Sequence, residues 1–154
     1  MSTGQILRIT TTSSEATSKL GFEIGRRLRG GEAINLASDL GGGKTTFVKG
    51  LAQGAGSRDA VSSPSFTICN QYQADKLLIC HYDFYRLKDA GLIANELHEN
   101  LTNPKAVIVI EWADVVNEVL PSDSMDLNIA VLGENDRELT FNYPESMSYL
   151  IGDK

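Results

Sequence analysis

The run Ser38-Asp-Leu-Gly-Gly-Gly-Lys-Thr-Thr46 sets three consecutive glycines directly before a lysine and two hydroxyl residues. Holding a polyphosphate requires several backbone N–H groups to converge on one anion, and glycines permit that wrap of the main chain. Gly41, Gly42 and Gly43 supply this freedom, with Asp39 and Leu40 completing the loop. The helix that follows from Thr45 would turn its N-terminal dipole and free N–H groups, including that of Thr46, toward the same oxygens. Lys44 brings a mobile positive charge for the β and γ oxygens. Thr45 brings a hydroxyl suited to Mg²⁺, which favours near-octahedral oxygen coordination. The phosphate-loop motif normally opens with glycine, and Ser38 stands in that place here; serine is small enough to preserve close packing. The competing reading is a glycine-rich turn with a chance Gly-Lys-Thr, and what flanks the loop decides between them.

A phosphate loop also needs an acid at the end of a neighbouring strand, to hold the magnesium shell or orient a water. Two residues fit. Asp83 closes the run Leu77-Leu-Ile-Cys-His-Tyr82, and Glu111 closes Val107-Ile-Val-Ile110. Glu111 is the stronger of the two, because a carboxylate between an apolar run and Trp112 lies near buried surface and needs a partner. In Ser62-Ser-Pro-Ser-Phe-Thr67, Ser65 or Thr67 could sense a γ-phosphate, and the same residues also make an ordinary proline turn. Tyr85-Arg86 could offer a phosphate-facing cation or a protein contact, and His81 reads as a packed strand residue rather than a base. Cys69, Cys80, His81 and His98 show no paired ligand spacing, and two cysteines in strand-like runs make a poor disulfide framework.

The elements that must position these residues follow from periodicity and punctuation. Thr12-Ser-Ser-Glu15 has capping-box spacing, and Ala16, Leu20, Ile24 and Leu28 repeat every fourth residue up to Gly30-Gly31, which predicts a first helix. Glu32 to Ala37 is a short strand, and Thr45 to Ala55 a helix bounded by glycines. Strand, glycine loop and helix therefore occur in the order that makes a phosphate loop credible. Phe66 to Tyr72 and Leu77 to Tyr82 predict an antiparallel hairpin. Leu87 to Leu101 predicts a helix, and Ala106 to Ile110 a strand covered on both faces near the sheet centre. Ala113 to Leu120 predicts a short helix ended by Pro121, and Leu127 to Leu132 with Glu138 to Phe141 a closing hairpin. The expected fold is a mixed α/β sandwich, with antiparallel hairpins in one sheet and helices on both faces. One domain over residues 1–154 is expected, with an ambiguous tail from Tyr143 onward.

With 154 residues, of which 42% are hydrophobic, the chain can bury one sizeable core. Its formal net charge of -6 leaves no broad basic surface for a nucleic-acid backbone, so any RNA would have to be held by a partner. No apolar run approaches the ~20 residues that cross a bilayer and Met1 to Thr12 carries no long apolar run, so a chain that is not exported, with a cytoplasmic location, is expected.

Several segments together resemble one family. Asp39-Leu-Gly-Gly-Gly-Lys-Thr-Thr-Phe47, Ser63-Pro-Ser-Phe-Thr67, His81-Tyr-Asp-Phe-Tyr-Arg-Leu87, Ile110-Glu-Trp112 and Leu120-Pro121 are similar, in order and spacing, to the TsaE (YjeE) family, the ATPase of bacterial threonylcarbamoyladenosine tRNA modification. The resemblance covers about residues 12 to 141. It implies a P-loop NTPase-like fold that binds ATP or ADP with Mg²⁺ and hydrolyses ATP slowly alone. It also implies work with TsaB- and TsaD-type partners, with tRNA reached only through that complex. By the same resemblance Lys44 and the loop N–H groups hold phosphates, Thr45 and Glu111 lie at the metal, Asp83 fills the Walker B-like place, Trp112 lies near the nucleotide and Arg137 reaches it. The family usually has threonine at Ser65 and glycine at Ser38.

Two other functions share the loop. A small-molecule kinase needs an arginine-bearing lid over a second pocket, and no arginine-rich insert occurs between Leu87 and Val107. A non-catalytic, nucleotide-gated interaction module would bind without hydrolysing.

Overall fold

The structure, a computed structural model, describes residues 4–38, 43–64, 68–84, 91, 93–112, 120–121 and 123–152. Strands β1 (Gln5–Thr11), β2 (Ala33–Ser38), β3 (Cys69–Gln73), β4 (Leu78–Asp83), β5 (Ala106–Glu111), β6 (Met125–Val131) and β7 (Arg137–Tyr143) form one seven-stranded sheet in the order β1-β7-β6-β2-β5-β4-β3. The helices among the described residues are α1 (Ser14–Gly25), α2 (Lys44–Gly54), α3 (Ile93–Thr102) and a 3-10 helix, Glu145–Leu150. The sheet is mixed. β2 runs parallel to β5 and β6, and β4 parallel to β5, whereas β3–β4, β6–β7 and β1–β7 are antiparallel. Both predicted hairpins are present.

β5 lies inside the sheet between β2 and β4, and all six of its residues are buried. Its alternation splits the interior in two, as a period of two residues requires. Val107 and Val109 join Ile34, Leu36, Ile79, Phe47 and Leu51 beneath α1 and α2. Ala106, Ile108 and Ile110 join Cys80, Tyr82 and Leu97 beneath α3. Helices therefore cover both faces, and the continuous apolar run of β5 reflects that double cover.

Most strand and helix bounds shift by one to three residues from the sequence expectation, and the first helix and first strand differ most. The first helix is capped by Ser13, whose Oγ accepts from Ala16 N at 3.0 Å, one residue later than the Thr12 box. The box spacing fails because Thr11 still pairs in β1, so the turn into the helix falls at Ser13. The same helix ends at Gly25 and not at Gly30-Gly31, although Leu28 still packs on the core. β1 itself was not foreseen: as an edge strand it buries only Thr11 fully, leaving Leu7 and Ile9 half-buried and Ile6 58% exposed, so its pattern is weak. The predicted helix over Ala113 to Leu120, like the start of the one from Leu87, lies outside the described residues.

α1 and α2 cross at very short range. A Cβ on Gly25 would stand 2.0 Å from Leu51 O, and one on Gly50 would stand 1.9 Å from Ser18 O. Only a residue without a side chain allows these backbones to touch. This contact sets where α2 begins, and hence where Lys44 stands.

Candidate functional site

Because β2, β5 and β4 are parallel, their carboxyl ends share one edge of the sheet, the edge where open α/β sheets bind ligands. The register places Leu36 opposite Glu111 and Glu111 opposite Asp83. Glu111 and Asp83 therefore lie side by side on the face covered by α2, and both are buried. β2 ends at Ser38, and α2 opens at Lys44 after Gly43, whose φ of 101° is the left-handed geometry that suits glycine. The end of the strand and the start of the helix thus stand as a phosphate loop joining them would require.

Lys44 Nζ lies 3.1 Å from Glu111 Oε1, with side chains only 17% and 4% exposed. The other oxygen, Oε2, lies 2.6 Å from Nε2 of the fully buried His81. Burial pushes the Glu111 carboxyl upward, but the His81 hydrogen bond, the His81 charge and Lys44 together outweigh it and hold the group below the usual carboxylate range. Glu111 is therefore an ionised, doubly anchored carboxylate at the head of the loop helix. His81 was read from sequence as a packed strand residue. It is packed, and it is also the partner Glu111 needed. The signal was available: His81 and Asp83, two apart on a strand, face the same side.

Two clefts flank the start of α2. One, about 460 Å³, is bordered by Ser38, Lys44, Ile110, Trp112, Asp126 and Asn128. Trp112 is half exposed and held at φ 60°, a left-handed conformation rare for a bulky residue, which turns the chain sharply off the end of β5. The other, about 130 Å³, is bordered by Ser13, Thr17, Gly43, Thr46, Glu134 and Arg137. Here Arg137 Nη1 donates to the carbonyls of Gly133 and Asp136, both at 2.9 Å, and so braces its own hairpin turn. Thr11 and Thr17 join hydroxyls at 2.7 Å beside this cleft, a polar contact that sequence reading did not single out.

The structure brings together Gly43, Lys44, Thr45, Asp83 and Glu111 around one helix start, with Trp112 bordering one cleft and Thr46 and Arg137 the other. Asp39, Gly41, Gly42, Ser65 and Thr67 lie outside the described residues, as do Tyr85 and Arg86. Among the described residues no group of three or more His, Cys, Asp or Glu forms a metal cluster. Cys80 and His81, adjacent on β4, face opposite sides: Cys80 joins the core under α3 while His81 bonds to Glu111.

The family model described as "Threonylcarbamoyl adenosine biosynthesis protein TsaE" matches residues 11–139, which span every strand of this edge. The chain belongs to the TsaE family. A TsaE protein of Bacillus subtilis is 34% identical over 88% of this chain and 84% of its own length. One from Aquifex aeolicus is 38% identical over 82% and 89% respectively, and one from Treponema pallidum 34% identical over 87% and 98%. All three are named tRNA threonylcarbamoyladenosine biosynthesis protein TsaE. The crystal structure of Bacillus subtilis YdiB superposes with a TM-score of 0.75 at 28% identity, over 98% of this chain and 95% of that one. The TsaE match thus covers both the sheet edge and the α1–α2 pair that sets it. No described helix of this TsaE-family chain is long and apolar enough to cross a membrane.

Proposed function

We propose that the chain binds Mg-ATP on the loop over residues 39–46 and hydrolyses it slowly, as the nucleotide-using component of tRNA threonylcarbamoyladenosine formation. The observation that carries this reading is the Lys44–Glu111 ion pair at the C-terminal edge of parallel strands, with Asp83 beside it. A lysine poised on a buried carboxylate at a helix start exchanges that partner for phosphate oxygens when they arrive. The donor set available to a cation there, Thr45, Asp83 and Glu111, is entirely oxygen, the hard donors that Mg²⁺ prefers. When bound, Mg²⁺ would neutralise charge on the phosphates. Lys44 and the first N–H groups of α2 would bind and orient the phosphates, and Asp83 or Glu111 would orient the attacking water.

With a net charge of -6 the chain would meet basic surfaces of TsaB- and TsaD-type partners and reach tRNA only through them. Hydrolysis would be faster in their presence, and the setting is the cytoplasm. The test is calorimetry of Mg-ATP and Mg-ADP on folded protein, followed by phosphate release with and without partners. Saturable, magnesium-dependent binding that Lys44→Ala weakens at least tenfold is expected. No uptake at millimolar nucleotide defeats the proposal.

A further inference from the structure

His81 is fully buried, and its Nδ1 has no hydrogen-bond partner among the described residues. A buried ring nitrogen left without a partner costs stability that an aliphatic side chain would avoid. Aliphatic side chains do fit this face of the sheet: Ile79 precedes His81 on it, and Val109 lies directly opposite. What histidine adds is therefore its other nitrogen, 2.6 Å from Glu111 Oε2. An ionised carboxylate only accepts, so Nε2–H is the donor.

The register explains the reach. His81 pairs with Val109 and Asp83 with Glu111, so His81 meets Glu111 on the diagonal of two neighbouring strands, from the interior side. Lys44 meets the same carboxylate from the loop side, at Oε1. One oxygen is thus held by the sheet and the other by the phosphate-binding lysine.

We infer that His81 is a positioning residue for Glu111: it grips Oε2 from inside the sheet, so that Oε1 faces the loop and is released to it when phosphate draws Lys44 away. The inference rests on the reading that the loop over residues 39–46 holds a nucleotide. A glutamate has several rotatable bonds, and without the inner grip its carboxylate would follow Lys44 or swing toward the phosphates. With it, Lys44 can leave while Oε1 stays where it was.

The test compares wild type with His81→Phe, which keeps a ring but no donor, and His81→Gln, which carries an amide N–H at similar reach. In nucleotide-free protein carrying ¹³C-labelled glutamate carboxyls, the Glu111 signal, assigned by its loss in Glu111→Gln, is expected at one position in wild type and His81→Gln and displaced or broadened in His81→Phe. Affinity for Mg-ADP, followed by Trp112 emission, should stay within threefold across the set. Single-turnover ATP hydrolysis should fall at least tenfold in His81→Phe and recover to within threefold in His81→Gln. If His81→Phe does not fold, His81→Asn, whose amide is too short to reach Oε2, replaces it with the same expectations. An unmoved Glu111 signal in His81→Phe overturns the inference, as does hydrolysis by His81→Gln as slow as that of His81→Phe. Wild-type protein that takes up no nucleotide sinks the nucleotide reading instead, and the carboxyl spectrum then still decides whether His81 fixes Glu111.

Discussion

Gly25 of α1 meets the carbonyl of Leu51 in α2 so closely that a Cβ on the glycine would stand 2.0 Å from that oxygen. The same helix carries the phosphate-loop lysine seven residues earlier, so the fit between the two backbones fixes the entry point of α2 into the site. Gly25→Ala should lower unfolding free energy by about 1–3 kcal/mol, the usual cost of overpacking, despite the ~1 kcal/mol that alanine gains in helix propensity. Urea denaturation measures the first effect. Nucleotide titration measures the second, a weaker affinity from a displaced α2, which a substitution far from the site would not produce.

Removing the lysine should also be felt without any nucleotide. Glu111 is 4% exposed and depends on Lys44 for one of its two anchors. Lys44→Ala leaves that oxygen buried beside no cation, which should cost about 1–3 kcal/mol in denaturant unfolding. Glu111→Gln keeps a neutral acceptor near both partners and should cost less. Equal stability of Lys44→Ala and wild type would show that the ion pair does not bind the empty loop to the sheet.

The pH dependence follows from the sign of the Glu111 shift. Its carboxyl is held below the ordinary range because His81 and Lys44 outweigh burial, so its contribution is fully present above the unfolded carboxylate pKa and is lost as pH falls through the folded one. The thermal midpoint should hold steady near neutrality and drop below about pH 4, with a smaller drop in Glu111→Gln. A scan of melting temperature against pH on both proteins isolates the Glu111 share from that of the other carboxylates.

Another buried carboxylate, that of Glu32, anchors the C-terminal segment. Glu32 accepts from Arg29 N and Gly30 N, both at 2.8 Å, and from the Tyr149 hydroxyl, while the Arg29 guanidinium stacks 3.8 Å above the Tyr149 ring. Burial, with Glu32 beside it, pushes the Tyr149 hydroxyl well above its usual range. Tyr149→Phe should cost about 1 kcal/mol, and Glu32→Ala, which orphans two backbone donors as well, about 2–4 kcal/mol. Hydrogen exchange should show the 3-10 helix Glu145–Leu150 opening more often in both variants.

The two cysteines should be poor nucleophiles in the native state. Burial pushes the Cys80 thiol up to about 12 and the Cys69 thiol to about 11, far from the range in which a thiolate forms at neutral pH. Alkylation at pH 8 should be slower than that of a free cysteine and should accelerate on adding denaturant. Rapid modification of Cys80 in folded protein would contradict its burial beneath α3.

By itself the sequence determined the parts that local chemistry dictates. Three glycines before Lys44, between a strand-like run and a helical one, mark a turn into a helix, and the continuous apolar run Ala106 to Ile110 marks a strand covered on both faces. The acid at the end of that run, Glu111, was legible for the same reason, since a carboxylate there must find partners. Which partners it finds was decided only by tertiary structure. His81 and Glu111 are thirty residues apart, and what joins them is the parallel register of β4 and β5, a choice among pairings that differ by whole-residue slips. The close crossing of α1 and α2 and the edge strand β1 likewise arise from contacts distant in sequence: β1 pairs with β7, at the far end of the chain, and only that pairing makes its weak alternation a strand.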